Sequence, residues 1–334
     1  MTILGIESTA HTFGVAVVKD GEVKANVKKS YTTDKGGIIP MEAAKHHREN
    51  KEMVYRQALE KAGISEKEID AISISQGPGL APCLFIGMGF AKELARKLKR
   101  PITPVNHCIA HLEIGRLTGA KDPVMLYASG ANTQIIAYAS GKFRVFGETL
   151  DVGIGNFIDK TARYMGLGFP GGPKIEELAK NAGEKDLIEL PYSIKGMDVS
   201  FSGLQTKIQH IYNREKDKDE KIKEKLAFSL QETAFAMLVE TAERAMAHTE
   251  KKELLLGGGV ACNKRLQEMC GIMCTERGAK FFCPENQFLV DNAAMIAFLG
   301  EIMLKSGIAI HPDELKNLDI KPRQRTDEVN ITWR

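Results

Sequence analysis

The chain has 334 residues, 43% of them hydrophobic and 27% charged, the make-up of an ordinary globular protein with room for two lobes that each bury a core. Its net charge of +3 is too small to identify a nucleic-acid partner, so clustered cations would have to carry any such contact. No apolar run approaches the ~20 residues that span a bilayer, and MTILGIES opens as a strand without a basic leader, so the expectation is a cytoplasmic protein with no secretory signal and no membrane partner.

Residues 2–25 read as two strands with Glu7, Ser8 and Thr9 in the turn between them and an Asp20-Gly21 hairpin signal after the second. Polar residues at that strand end suit contact with phosphate or magnesium, although a plain hairpin accounts for them as well. A third strand is expected over Val23–Tyr31, then a loop marked by Gly36, Gly37 and Pro40, and a helix from about Pro40 to Ala62. His46 and His47 are adjacent and cannot share a helix face, which predicts solvated or rim residues. Glu68–Gln76 reads as a strand that runs into Gly77-Pro78-Gly79 and a helix from about Cys83 to Leu98, the layout that sets ligand-facing loops in open α/β sheets. A strand over Pro101–Val105 follows.

Asn106 to Gln134 is the most informative stretch. His107 and His111 lie four residues apart, so a helix would put both imidazoles on one face. That spacing suits two metal ligands and suits ordinary core or surface histidines equally well. A zincin protease needs HExxH with glutamate as its base, and Cys108 stands where that glutamate would be. The apolar strand VMLYA then runs into Ser129-Gly130-Ala131-Asn132-Thr133, a small-residue turn able to bring backbone N–H groups near phosphate. The segment from Pro123 repeats the pattern of the first 25 residues: strand, small polar turn, strand, Gly hairpin, strand. The architecture implied is a duplicated α/β unit with a cleft between two like halves.

Asp159 falls one turn into the next expected helix, and Glu176 lies on a helix after Pro170-Gly171-Gly172-Pro173. Ser202-Gly203-Leu204 reads as a second small-residue turn, Arg214–Lys225 as a solvated charged connection, and Phe228–His248 as a long amphipathic helix. Gly257-Gly258-Gly259 after a strand would let backbone approach a ligand closely, with Asn263 at the following helix start. Asp291 heads an apolar helix, either as its N-cap or as a third metal ligand. With imidazole and oxygen donors, zinc or ferrous iron is favoured over calcium. Arg323 and Arg325 in the tail suit RNA contact or plain surface. The six scattered cysteines form no CxxC pair and read as buried thiols rather than disulfides.

In order along the chain, SQGPGL, NHCIAHLEIG, LYASGANTQ, FSGLQT, GGGVACNKRL and VDNAAMIA resemble the universal tRNA threonylcarbamoyladenosine-forming enzymes, closest to the archaeal and eukaryotic type of the KEOPS complex and formerly called O-sialoglycoprotein endopeptidases. The resemblance covers nearly the whole chain. It implies an actin/hexokinase-like (ASKHA) fold of two duplicated lobes with a central cleft, an N-terminal lobe over 1–105 and a C-terminal lobe over 106–334 whose tail packs back. It implies one divalent metal per subunit, Fe2+ or Zn2+, held by His107, His111, Tyr127 and Asp291. It also implies an adenylate or ATP-type site at Tyr127, Ala128, Ser129, Gly130, Ala131, Asp159, Gly172, Glu176 and Asn263. The implied reaction moves threonylcarbamoyl from threonylcarbamoyl-adenylate to the exocyclic amine of the adenosine next to the anticodon, in tRNAs reading ANN codons. Implied partners are tRNA, a small atypical kinase/ATPase subunit and a small dimerising subunit on the helices near 40–62 and 83–98. The chain departs from the family pattern at Ala131 and Ala293, where glycine is usual. An actin-like ATPase or small-molecule kinase, and a non-catalytic nucleotide-binding scaffold, are the competing readings.

Overall fold

The computed structural model describes residues 1–33 and 37–334, so Gly36 of the expected loop lies outside the described residues. Two five-stranded mixed sheets share one plan. The first holds β1 (Thr2–Glu7), β2 (Thr12–Lys19), β3 (Glu22–Ser30), β4 (Ala71–Gly77) and β5 (Ile102–Asn106), in the order β3-β2-β1-β4-β5. The second holds β6 (Val124–Ala128), β7 (Thr133–Ala139), β8 (Lys142–Glu148), β11 (Glu253–Gly257) and β12 (Lys280–Phe282), in the order β12-β11-β6-β7-β8. A two-stranded ladder of β9 (Ile194–Lys195) and β10 (Asp198–Val199) adjoins the end of β8, where Thr149 bridges Val199. In each large sheet the first three strands form an antiparallel meander and the last two join in parallel. The hairpins match too: Asp20 and Gly21 have φ of 52° and 82°, Ser140 and Gly141 of 51° and 77°. Positive φ at both central positions is the demand of a tight hairpin whose twist suits its strands.

The helices are α1 (Pro40–Ala62), α2 (Ala81–Leu98), α3 (His107–Glu113), α4 (Ile154–Tyr164), α5 (Gly172–Ala179), α6 (Ser202–Glu215), α7 (Ile222–Thr249), α8 (Lys264–Glu276), α9 (Asn286–Leu289) and α10 (Ala293–Lys305). Strands β1 and β4 are buried along their whole length, because helices cover both faces of the first sheet. One of those helices is α10, from far along the chain. It approaches β1 so closely that a Cβ on Gly5 would sit 2.4 Å from the Ala293 carbonyl oxygen. A central apolar layer of Val105, Ile109, Leu112, Met125, Leu255, Ile296 and Leu299 joins the two sheets, and α3 and α10 lie in it. The histidine helix is thereby fixed between the halves.

Two local expectations are corrected. Ser202-Gly203-Leu204 is the first turn of α6 rather than a loop, because the Asp151 carboxylate accepts the free N–H groups of Phe201 and Ser202, both at 3.0 Å. His47 is fully buried against Phe13, ring centroids 5.6 Å apart, because its face of α1 is the one that covers β2. Gly258 is required where β11 meets the end of β6: its φ is 89°, and a Cβ there would meet the Ala128 carbonyl oxygen at 2.3 Å. All six cysteines are free thiols.

Candidate metal and nucleotide cleft

The site is assembled from helix and strand ends. Asn106 ends β5 and caps α3, its side chain accepting from the Ile109 N–H at 3.1 Å. The cap starts the helix at His107 and sets His111 one turn later. Their rings stand edge to face, centroids 4.9 Å apart. Asp291 is not the N-cap of α10. That place belongs to Asn292, which accepts from the Met295 N–H at 3.0 Å. The Asp291 carboxylate is therefore left to face the histidines, its Oδ1 lying 3.4 Å from His107 Nε2 and 3.7 Å from His111 Nε2. One ligand atom from each of the three residues falls within 4.8 Å of the others. Tyr127, at the end of β6, packs its buried ring 5.1 Å from that of His111.

Glu7, in the turn that suits phosphate or magnesium contact or a plain hairpin, faces neither ligand position. Its carboxylate instead turns inward, fully buried, with Oε2 3.0 Å from His107 Nδ1 and Oε1 accepting from the Thr9 N–H at 2.7 Å and from the Thr9 hydroxyl. A carboxylate oxygen accepts here, so Nδ1 carries the proton and Nε2 points at Asp291. Carboxylate–histidine pairs of this kind orient metal-binding imidazoles.

The electrostatics favour a cation in the cluster. Burial opposes a charge on His107, but Glu7 and then Asp291 outweigh it and hold its pKa well above the usual histidine value. Burial pushes His111 down. It also opposes the charge on Asp291, which His107 and His111 nevertheless hold well below the carboxylate range. His111 supplies the test of fit. Both its ring nitrogens are buried and have no hydrogen-bond partner among the described residues. Such an orphaned group costs ~1–3 kcal/mol. A metal ion at Nε2 would satisfy it, and two imidazoles with one carboxylate suit zinc or ferrous iron.

A cleft of about 620 Å³ opens from this cluster, lined by His107, Tyr127, Asp291, Ser129, Gly130, Ala131 and Asp159. The turn is held by reciprocal bonds between Ser129 and Asn132 and by the start of α4, where Gly155 N–H donates to Ser129 O at 3.0 Å and Asn156 N–H to Gly130 O at 2.8 Å. A Cβ on Gly153 would sit 2.4 Å from the Ala131 carbonyl oxygen, so the close approach falls to the helix glycines. Ala131 lies outside the left-handed region, so its methyl group carries no backbone strain. Ala293 is likewise accommodated, its Cβ facing the open Cα of Gly14.

The remaining predicted residues form an adjoining group. The Asp159 carboxylate accepts from the Gly171 N–H at 2.7 Å, and burial, partly offset by the Gly171 and Gly172 N–H groups, raises its pKa. Gly172 begins α5 facing open space. Glu176 accepts from the Lys264 N–H at 2.9 Å. Asn263 caps α8 through Arg265 and Leu266 and donates to Gln231 at 2.6 Å. Gly172, Glu176 and Asn263 stand beside the cleft rather than in its lining, and His111 and Ala128 lie buried behind it. The pairing of Glu7 with His107 spans 100 residues, and its one local signal is an acidic residue at the end of an apolar strand.

The family model for TsaD, tRNA N6-adenosine threonylcarbamoyltransferase, matches residues 22–298. A tRNA N6-adenosine threonylcarbamoyltransferase of Thermococcus kodakarensis is 52% identical over 333 residues, all of both chains. A probable bifunctional tRNA threonylcarbamoyladenosine biosynthesis protein of Methanosarcina mazei is 51% identical, over 99% of this chain and 59% of its own length. Among solved structures, HypF of T. kodakarensis superposes with a TM-score of 0.62 at 16% identity, over 94% of this chain and 48% of that one. That likeness concerns the fold, which is of the actin/hexokinase-like (ASKHA) class. With the family model covering most of the chain and a full-length relative above half identity, the chain belongs to the TsaD family of tRNA N6-adenosine threonylcarbamoyltransferases.

Proposed function

We propose that the protein transfers threonylcarbamoyl from threonylcarbamoyl-adenylate to the exocyclic amine of the adenosine next to the anticodon, in tRNAs reading ANN codons, as the catalytic subunit of a KEOPS-type complex. The observation that carries the reading is the His107–His111–Asp291 cluster opening into the same cleft as the Ser129–Ala131 turn. The amine nitrogen bonds to the carbamoyl carbon, the carbon–oxygen bond to phosphate breaks, AMP leaves, and the amine proton is released. An adenine amine is a weak nucleophile, so positioning supplies much of the rate.

His107, His111, Asp291 and Tyr127 would hold one Fe2+ or Zn2+. Bound there, the ion supplies a fixed positive charge for oxygens of the activated donor. Glu7 holds His107 in register. The turn Tyr127–Ala131 would take the phosphate on backbone N–H groups. Asp159, Gly172, Glu176 and Asn263 would hold the adenosine half through polar contacts at the starts of α5 and α8. The lobes would divide near residue 105, with the segment from 106 onward carrying the metal helix and the nucleotide residues.

A small atypical kinase/ATPase subunit would work beside this chain; the M. mazei relative is named bifunctional, and this chain covers 59% of its length. A small dimerising subunit would dock on α1 and α2, where Met41, Met53 and Phe85 are exposed. No described helix is long and apolar enough to cross a membrane, in keeping with a role in the cytoplasm. The test is nucleoside analysis of unmodified tRNA after incubation with the protein, its partner subunits and threonylcarbamoyl-adenylate. Threonylcarbamoyladenosine should appear. Magnesium-dependent ATP turnover with unmodified tRNA remaining would favour the ATPase reading.

A further inference from the structure

The proposed reaction places an electrophile deep in the cleft and brings its nucleophile in on a polynucleotide. The deep end is the metal cluster, where His107 and Tyr127 are 5% and 1% exposed. A tRNA cannot follow its adenosine that far, so its backbone must rest on the cleft mouth. The mouth on the α4 side carries Lys160 and Arg163. With Asn156 and Asp159 they fall at helical spacing on one face of α4, and that face lines the cleft. Both cations are exposed, and neither has an ion pair or hydrogen bond among the described residues.

That absence is informative. Arg265 and Arg325, by contrast, are engaged, the first with Glu232 and the second with Glu148 and Asp327. Arg163 also reaches across the mouth, its Nη1 lying 3.8 Å from where a Gly37 Cβ would be. The opposite wall adds one more cation, Lys28. His11 lines it, and Lys28 pairs with Gly14, whose Cβ position faces the start of α10 beside Asp291. Directly opposed residues share a sheet face, so Lys28 belongs to the cleft side of its strand.

We propose that Lys160 and Arg163 form an oxyanion clamp for the tRNA backbone phosphate next to the target adenosine, setting the depth at which the adenosine enters. The inference rests on the tRNA reaction proposed above. The clamp concentrates charge where the net charge of +3 gives no general attraction to RNA. A carboxylate on the threonyl donor shares the same chemistry. The exposure of the pair, against the burial of the cluster, favours the larger substrate.

The experiment compares the complex containing wild type, Lys160→Gln/Arg163→Gln, and the charge-keeping Lys160→Arg/Arg163→Lys. It measures tRNA binding across a salt series, together with the KM for tRNA and for threonylcarbamoyl-adenylate. Removing both charges should raise the tRNA Kd and KM by about tenfold or more and lower the slope of log K against log salt by roughly 1–2. The charge-keeping variant should stay close to wild type. Unchanged tRNA binding and slope overturn the proposal, as does a loss confined to the donor KM, which reassigns the pair to the donor carboxylate. Failure of the wild-type complex to modify tRNA would defeat the reaction itself, and the binding series would still judge the clamp.

Discussion

At the scale of single residues, Glu7 and His107 show how a side chain acts through another. Glu7 lies 100 residues from its partner, fully buried, and fixes which imidazole nitrogen faces Asp291. Glu7→Gln keeps the shape and removes the charge. Metal affinity, read by chelator competition, should fall by about 10- to 100-fold while the melting temperature changes little. An unchanged affinity would show that His107 needs no such partner.

His47 gives a pH dependence remote from the metal. Burial first, then His46, lowers its pKa from 6.5 to about 4. Between those values the unfolded chain binds the proton and the folded chain does not, so stability falls as pH drops from about 6.5 toward 4. The full loss is about 3 kcal/mol. Replacing it with a volume-matched apolar residue, His47→Leu, should remove that part of the slope in urea midpoints taken at pH 7 and pH 4.5. Equal slopes in the two proteins would contradict it. The spacing of His107 and His111 was legible in the sequence because i and i+4 are local. The burial of His47 was not, since the face α1 turns to the sheet is decided by packing with β2.

The elements were legible where the chain punctuates itself. The Asp20-Gly21 turn, the strand into SGANT and the helix start at Asn263 all appear, because turn and cap chemistry is local. That Asp291 faces the histidines was not legible, because only in the structure does Asn292 prove to be the cap. Contact between α10 and β1 was hidden for the same reason: it joins Gly5 to Ala293 across nearly the whole chain. Gly5→Ala puts a Cβ 2.4 Å from a backbone oxygen that cannot rotate away. It should destabilise the protein by about 1–3 kcal/mol. Shifting α10 also moves Asp291, so metal affinity should drop with it. A fully stable variant with native affinity would show that α10 does not set the position of Asp291.

At the scale of the molecule, duplication could be read from the repeated strand–turn–strand pattern, and the two sheets carry it through strand order and hairpin geometry. The course of the C-terminal tail could not. It runs from the first sheet, where Lys321 N–H donates to Gln76 O at 2.8 Å, past Asn106, which donates to Gln324 at 3.2 Å. It ends with Trp333 and Arg334 donating to the buried Glu113 at 3.2 and 3.1 Å. These pairings bring the tail alongside α3, the helix that carries both histidines, and no periodicity encodes them.

On the proposed function, threonylcarbamoyl transfer to tRNA depends on the histidine–aspartate cluster. The most direct measurement supplies labelled threonylcarbamoyl-adenylate, unmodified tRNA and the partner subunits, and compares wild type with His107→Ala and His111→Ala. Label should reach tRNA with wild type, and transfer should fall by at least about 100-fold with either variant while each stays folded. No transfer by intact, metal-loaded wild type would contradict the reaction, and transfer untouched by both substitutions would contradict the role given to the cluster.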